Sequence, residues 1–146
     1  MGIPDPTADP QFYQGVPLRR FMAFLIDSVV IAGLWIVGAI AFSVITLGFG
    51  TVLIGPLLFF IAFLYRWLLL AKRSATLGMQ ATGIEVRDEA GNHLTSGQAA
   101  IHTAGFMLTI AFLPLAIIGW ILMASSPERR AMHDLPLSTV VINKPA

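Results

Sequence analysis

The sequence predicts an all-α membrane protein: a transmembrane helical hairpin, a cytoplasmic loop with a short β-hairpin, and a kinked or doubled-back third apolar segment. Three observations carry that prediction. Of the 146 residues, 56% are hydrophobic and only 12% charged, where a soluble domain carries about a quarter charged. Mean hydropathy is +0.78, and the apolar residues gather in three runs, about 21–47, 51–71 and 99–124. Arg19 and Arg20 stand before the first run, and Lys72 and Arg73 follow the second. Basic residues close to membrane ends mark the cytoplasmic side. Both open ends of the hairpin are therefore expected inside, with a cytoplasmic N-terminus in a bacterial plasma (inner) membrane.

The same composition excludes several functions. A net charge of +1 leaves no basic field for nucleic acid. The chain has no cysteine, which removes disulfides, thiolate catalysis and cysteine-based metal sites together.

Taken in order, residues 1–16 (MGIPDPTADPQFYQGV) are rich in Pro, Asp and Gly and show no period. They read as a flexible N-terminal tail with an interfacial end at Phe12 and Tyr13. Residues 17–143 form one membrane domain. Its first run, from Phe21 to about Leu47, is long enough to span a ~30 Å hydrocarbon core. Arg19 and Arg20 resemble the basic start of a signal peptide, but the apolar stretch behind them is far too long for one. The glycines of "TLGFGT" (Thr46–Thr51) suit a short turn, after which the second run returns to Leu70 and ends among Arg66, Lys72 and Arg73. The next stretch, "GIEVRDEAGNHL", alternates Ile84 and Val86 with Glu85 and Arg87 and then turns at Ala90-Gly91-Asn92, the pattern of a short hairpin. "TSGQ" (Thr95–Gln98) matches a capping box opening a third helix.

The third run is interrupted by Gly105, Pro114 and Gly119 and followed by the basic "SSPERR" (Ser125–Arg130). A single crossing would place Arg129 and Arg130 outside, against the charge rule. Doubling back near Phe112-Leu113-Pro114 keeps them inside. Backbone broken at that depth is tolerated where it is buried in protein or lines a water-filled cavity. "STVVIN" (Ser138–Asn143) then reads as a strand able to pair with Ile84–Val86.

Asp27 is the residue that asks for an explanation. An ionised carboxylate in hydrocarbon costs on the order of 2.5–3.5 kcal/mol on insertion scales. Arg20 shares its helix face but lies ~10 Å away at 1.5 Å per residue, closer to head groups. Arg66 is the better partner, because it sits at a similar depth on the antiparallel helix. Its side chain leans toward its helix N-terminus, into the membrane, where a carboxylate satisfies it. Arg20, Asp27 and Arg66 thus make a candidate intramembrane charge site. It reads either as an ion pair that fixes how two helices meet or as a cation or proton site. Ser28 and Ala32 add a small-residue spacing suited to close helix approach.

Arg129, Arg130, His133 and Asp134 form a second, C-terminal motif. Adjacent helical residues point about 100° apart and no nucleophile accompanies His133, so no catalytic residue is assigned. Asp134 is expected to cap or salt-bridge locally, to Arg129 or Arg130. His93, His102 and His133 lack ligand spacing, so no metal and no cofactor are expected. Of the tryptophans, only Trp67 suits an interfacial belt, Trp35 lying mid-run.

The arginine before the first helix, the aspartate within it and "RRAMHDLPLSTVVI" together resemble the RDD family of small bacterial membrane proteins. The resemblance assigns the family's arginine to Arg20 and its two aspartates to Asp27 and Asp134. "ATLGMQATGIEVRDEAGNHLTSGQA" (Ala75–Ala99) is similar to the family's middle loop, with Leu77 and Met79 standing where proline and lysine are usual. His102 stands where many members carry arginine, and Leu137 where a small residue is usual. The resemblance implies little mechanism, a few members being linked to cation/proton exchange. The leading expectation is a non-enzymatic accessory, assembly or scaffold component, whose partners are the lipid bilayer and a larger membrane complex or its own copies. The alternative is a cation/proton transporter or antiporter acting as an oligomer, since three short apolar runs enclose little pathway.

Overall fold

The computed structural model describes residues 2–145. Helix α1 (Val16–Ile45) has thirty residues, about 45 Å at 1.5 Å each. It therefore exceeds a ~30 Å core, and its first turns stand clear of the hydrocarbon. It is apolar on every side, and Val29, Val37 and Val44 are among its exposed residues, as suits a helix whose solvent is lipid. The chain reverses through left-handed Leu47 and Gly48 and a 3-10 turn over Phe49–Leu53. Helix α2 (Ile54–Arg73) follows, with Lys72 and Arg73 in its last turn, where cations complement the carbonyl end. The Trp35 indole donates to the Ile54 carbonyl at 2.8 Å and stitches the hairpin near its closed end. Both α1 and α2, each with its adjoining 3-10 turn, are long and apolar enough to cross a membrane.

After α2 the chain folds back onto α1. Short helix α3 (Leu77–Thr82) is capped by Thr76, whose hydroxyl accepts from the Met79 amide. Gly78 makes the approach possible: a Cβ there would lie 2.2 Å from the Ala23 carbonyl oxygen. Strand β1 (Ile84–Arg87) leaves α3 through left-handed Gly83.

The strand's partner lies far away in sequence. β1 pairs antiparallel with β2 (Val140–Asn143), Ile84 opposite Asn143 and Arg87 opposite Val140. The pairing expected of Ser138–Asn143 with Ile84–Val86 is thus present, and it takes the place of a local hairpin. The turn does form, with Asp88 accepting from the Ala90 and Asn92 amides. But Leu94 is drawn into the core, its amide donating to Ser74 Oγ at 2.7 Å, and Thr95 already caps the next helix. Too few residues remain for a returning strand. One sheet face packs Ile84, Val86 and Val141 with Val16, Leu70 and Ala99, each large side chain contributing roughly 1.5–3 kcal/mol by burial.

Helix α4 (Ser96–Ala111) opens with the full Thr95–Gln98 capping box. It ends at Phe112, whose backbone is extended, and α5 (Leu113–Ser125) leaves at 113° to it. Pro114 explains the break: its ring would clash with the Ile110 carbonyl in a continuous helix. The third apolar segment is therefore a bent pair. Its end returns through Ser126–Arg130 and a 3-10 turn, Met132–Asp134, to β2.

Several residues of the N-terminal tail, expected to be flexible, contact the sheet, Met1 lying outside the described residues. Tyr13 packs with Val140 and Ile142 and its hydroxyl donates to the Pro4 carbonyl at 2.7 Å. Asn143 Nδ2 donates to the carbonyls of Gln11 and Gln14. The unpaired side of β2 offers these partners, which a linear reading of the tail has no means to count.

Candidate functional site

Two buried aspartates organise the membrane end of this layer. Asp27, 2% exposed, faces α2 and α3. Its Oδ1 accepts from the Tyr65 hydroxyl at 2.7 Å and the Gly78 amide at 2.8 Å. Its Oδ2 accepts from the Thr76 hydroxyl at 2.6 Å, while Arg66 Nη1 stands off at 3.8 Å. Thr76 thus donates to Asp27 and caps α3 at once. The carboxylate sits at the start of α3, where unpaired amides favour negative charge.

Arg66 and Asp27 do come together, but the closer partners of Asp27 are neutral donors. The Arg66 guanidinium lies 3.5 Å from the centroid of the Phe106 ring, a cation–π arrangement. Its Nε is buried and without a hydrogen-bond partner.

Asp134 is fully buried and makes the second knot. Its Oδ2 receives Arg20 Nη1 at 2.7 Å and the Ala131 amide at 2.8 Å, and its Oδ1 lies 2.8 Å from His102 Nε2. Arg20 also reaches His133 Nε2 at 3.1 Å and the Arg129 carbonyl at 3.4 Å. The expected pairing of Asp134 with Arg129 or Arg130 is corrected here. Arg129, turned by a φ of +53°, donates to the Ala124 carbonyl, and the Arg130 amide donates to Ser126 Oγ. The Arg129 guanidinium is thus occupied with the turn itself, while Arg130 joins it through its backbone and leaves its buried Nε without a partner. Arg20, 114 positions away, takes the carboxylate instead of reaching for head groups.

Burial alone would raise the Asp134 acid, but the Arg20 guanidinium, with the hydrogen bond to His102, outweighs it and holds it well below the usual carboxylate range. Burial keeps His133 well below the ordinary imidazole value, against the pull of Asp134, so this ring is neutral at pH 7. The rings of His102 and His133 meet edge-to-face at 5.0 Å, and His133 meets Phe106 at 5.2 Å.

The histidine spacing along the chain had suggested no metal site, yet His102, His133 and Asp134 bring ligand atoms within 4.8 Å of one another. A cation here would compete with Arg20 for Asp134 and His133, so the set is built for an internal ion pair. Tyr65, Thr76, Gly78, His102 and Phe106 are the partners that sequence reasoning did not assign. Thr76 and Gly78 lie within the recognised middle loop, and this is the one signal that pointed toward them. Between α1 and the α4–α5 pair lies a cavity of about 340 Å³, reached by both Arg20 and Arg66.

Fold and site together define a small membrane protein with a helical hairpin, a bent third segment, and an extramembrane layer tied to α1 by an arginine and two aspartates. The chain matches the model of the RDD family over residues 15–138, most of its length, and belongs to that family. No curated protein and no solved structure matches it.

Proposed function

We propose that this RDD protein is a non-enzymatic membrane component with an accessory, assembly or scaffold role. The observation that supports it is the employment of the charged groups. Asp134 is shared among Arg20, His102 and the Ala131 amide, and Asp27 among Tyr65, Thr76 and Gly78. Each carboxylate fastens a distant segment to α1, so both work in holding a shape. The membrane is the plasma membrane of a bacterium, with the N-terminus, the α3–β1 loop and β2 in the cytoplasm, as the flanking basic residues favour. Its partners are the bilayer and a larger membrane complex or further copies of itself; nucleic acid is not one.

The second reading is a cation/proton transporter acting as an oligomer, favoured by one observation, a carboxylate in α1 beside a cavity lined by Arg20, Arg66 and His133. Purification in mild detergent with mass spectrometry of the eluate decides between them. A larger membrane protein in fixed stoichiometry, with no flux from proteoliposomes, is the expected result. A chain that purifies alone and exchanges sodium or potassium for protons overturns the scaffold role.

A further inference from the structure

We propose that the cavity between α1 and the α4–α5 pair binds one anionic amphiphile. Its acid group sits on Arg66 and its acyl chain leaves between α1 and α5 into the bilayer.

The argument begins with Arg66. The residue is 5% exposed, and the one carboxylate within salt-bridge distance among the described residues stands at 3.8 Å and is already satisfied by three closer donors. A buried guanidinium offers five donors, yet Nε has no partner, and the group lines the cavity. Arg20 also lines the cavity but is paired with Asp134 at 2.7 Å. Arg66 is thus the cation there whose own carboxylate is distant and already satisfied, the one an incoming oxyanion would serve.

Apolar walls set the rest of the ligand. Phe24, Phe106, Ile110 and Met123 line the space, and Phe21 meets Trp120 edge-to-face at 5.6 Å on its rim. Phe21 and Trp120 are both partly exposed on the lipid-facing surface, so the cavity adjoins the bilayer. A volume of about 340 Å³ lies at the small end of ligand pockets, enough for an acid group and the first part of a chain.

Depth agrees with this. Asp27 lies eighteen residues before the end of α1, about 27 Å at 1.5 Å per residue. Asp27 and its neighbour Arg66 therefore stand near one edge of a ~30 Å core, the level at which lipid acid groups and esters lie.

The test titrates detergent-purified protein with dioleoyl-phosphatidylglycerol, dioleoyl-phosphatidylcholine, oleate and inorganic phosphate, and counts bound molecules by native mass spectrometry. One acidic lipid bound at least tenfold more tightly than phosphatidylcholine is expected, with Arg66→Gln lowering it to the phosphatidylcholine level. Arg66→Lys retains the preference, which separates charge from folding. Ala116→Phe fills the cavity with Arg66 intact and also abolishes it. Preference for phosphatidylglycerol identifies a phospholipid, and preference for oleate alone identifies a free fatty acid. Binding of inorganic phosphate as tight as that of either amphiphile removes the acyl chain from the proposal. Equal binding of all lipids, or a preference that survives both Arg66→Gln and Ala116→Phe, overturns it.

Discussion

Asp27 and Asp134 carry the same side chain and do different work, because their partners differ. Asp134 faces a guanidinium at 2.7 Å, whereas Asp27 faces one at 3.8 Å and three neutral donors closer in. Hydrogen bonds to a charged group contribute about 1.5–3 kcal/mol each. Asp27→Asn is therefore expected to destabilise more than Arg66→Leu, and the double change to recover only part of the loss. Thermal melts of the four purified forms check this, and full recovery in the double mutant would show that the ion pair dominates. The second knot predicts a pH response. His133 is held neutral, so the unfolded chain takes up the extra proton as pH falls through ~6.5, and stability declines from there. Asp134, held low, contributes stability above ~3.9 that is lost as pH falls through its lower folded value. Both slopes run the same way. Protease resistance of β2 should fall in two stages on acidification, and His133→Gln should reduce the stage near ~6.5. A single transition, unchanged by His133→Gln, would leave the histidine without a role.

Among the elements, α3 is short and cannot persist alone, since isolated helices below about twelve residues are marginal in water. It exists because Thr76 and Asp27 cap it and because Gly78 lets it lie against α1. Gly78→Ala would press a Cβ against the backbone carbonyl of Ala23, which cannot swing aside as a side chain can. The expected loss is about 3 kcal/mol, at the upper end of overpacking costs, with α3 lifted from Asp27. Hydrogen exchange of Gln80–Thr82 measures this directly; protection equal to the native chain would mean that α1 moves to accommodate it. By contrast, a Cβ at Gly50 meets the Phe42 ring and the Thr46 side chain, groups able to move.

At the scale of the whole molecule, the tail, α3, β1 and β2 form one layer at the open end of the hairpin, and the Phe49–Leu53 turn lies at the other. Single cysteines at Asn92 and Lys144 are thus expected to label from one side of the membrane, and one at Thr51 from the opposite side. The chain has no native cysteine, so the readout carries no background. Labelling of Asn92 and Lys144 from opposite sides would require the α4–α5 pair to cross fully.

Composition and run length alone determined the membrane class, the hairpin and its turn, because insertion depends on summed apolar length and not on detail. Local chemistry was equally legible: Thr95 and Gln98 announced the cap of α4, Pro114 the break after it, and the alternation at Ile84–Arg87 a strand. The strand pattern of Ser138–Asn143 already offered that segment as a partner for Ile84–Val86, and the two pair, whereas the contacts of the tail and the choice of Arg20 over Arg129 and Arg130 for Asp134 were decided only by the tertiary structure. Each joins segments widely separated along the chain, so no spacing rule relates them. Asp27 shows the boundary well. Its place in an apolar run implied that a partner must exist, since a lone buried charge is costly, and Arg66 was the visible candidate. Which donors came closest depended on how α3 lies across α1, and that is settled by a glycine with no side chain and a threonine that serves two ends at once.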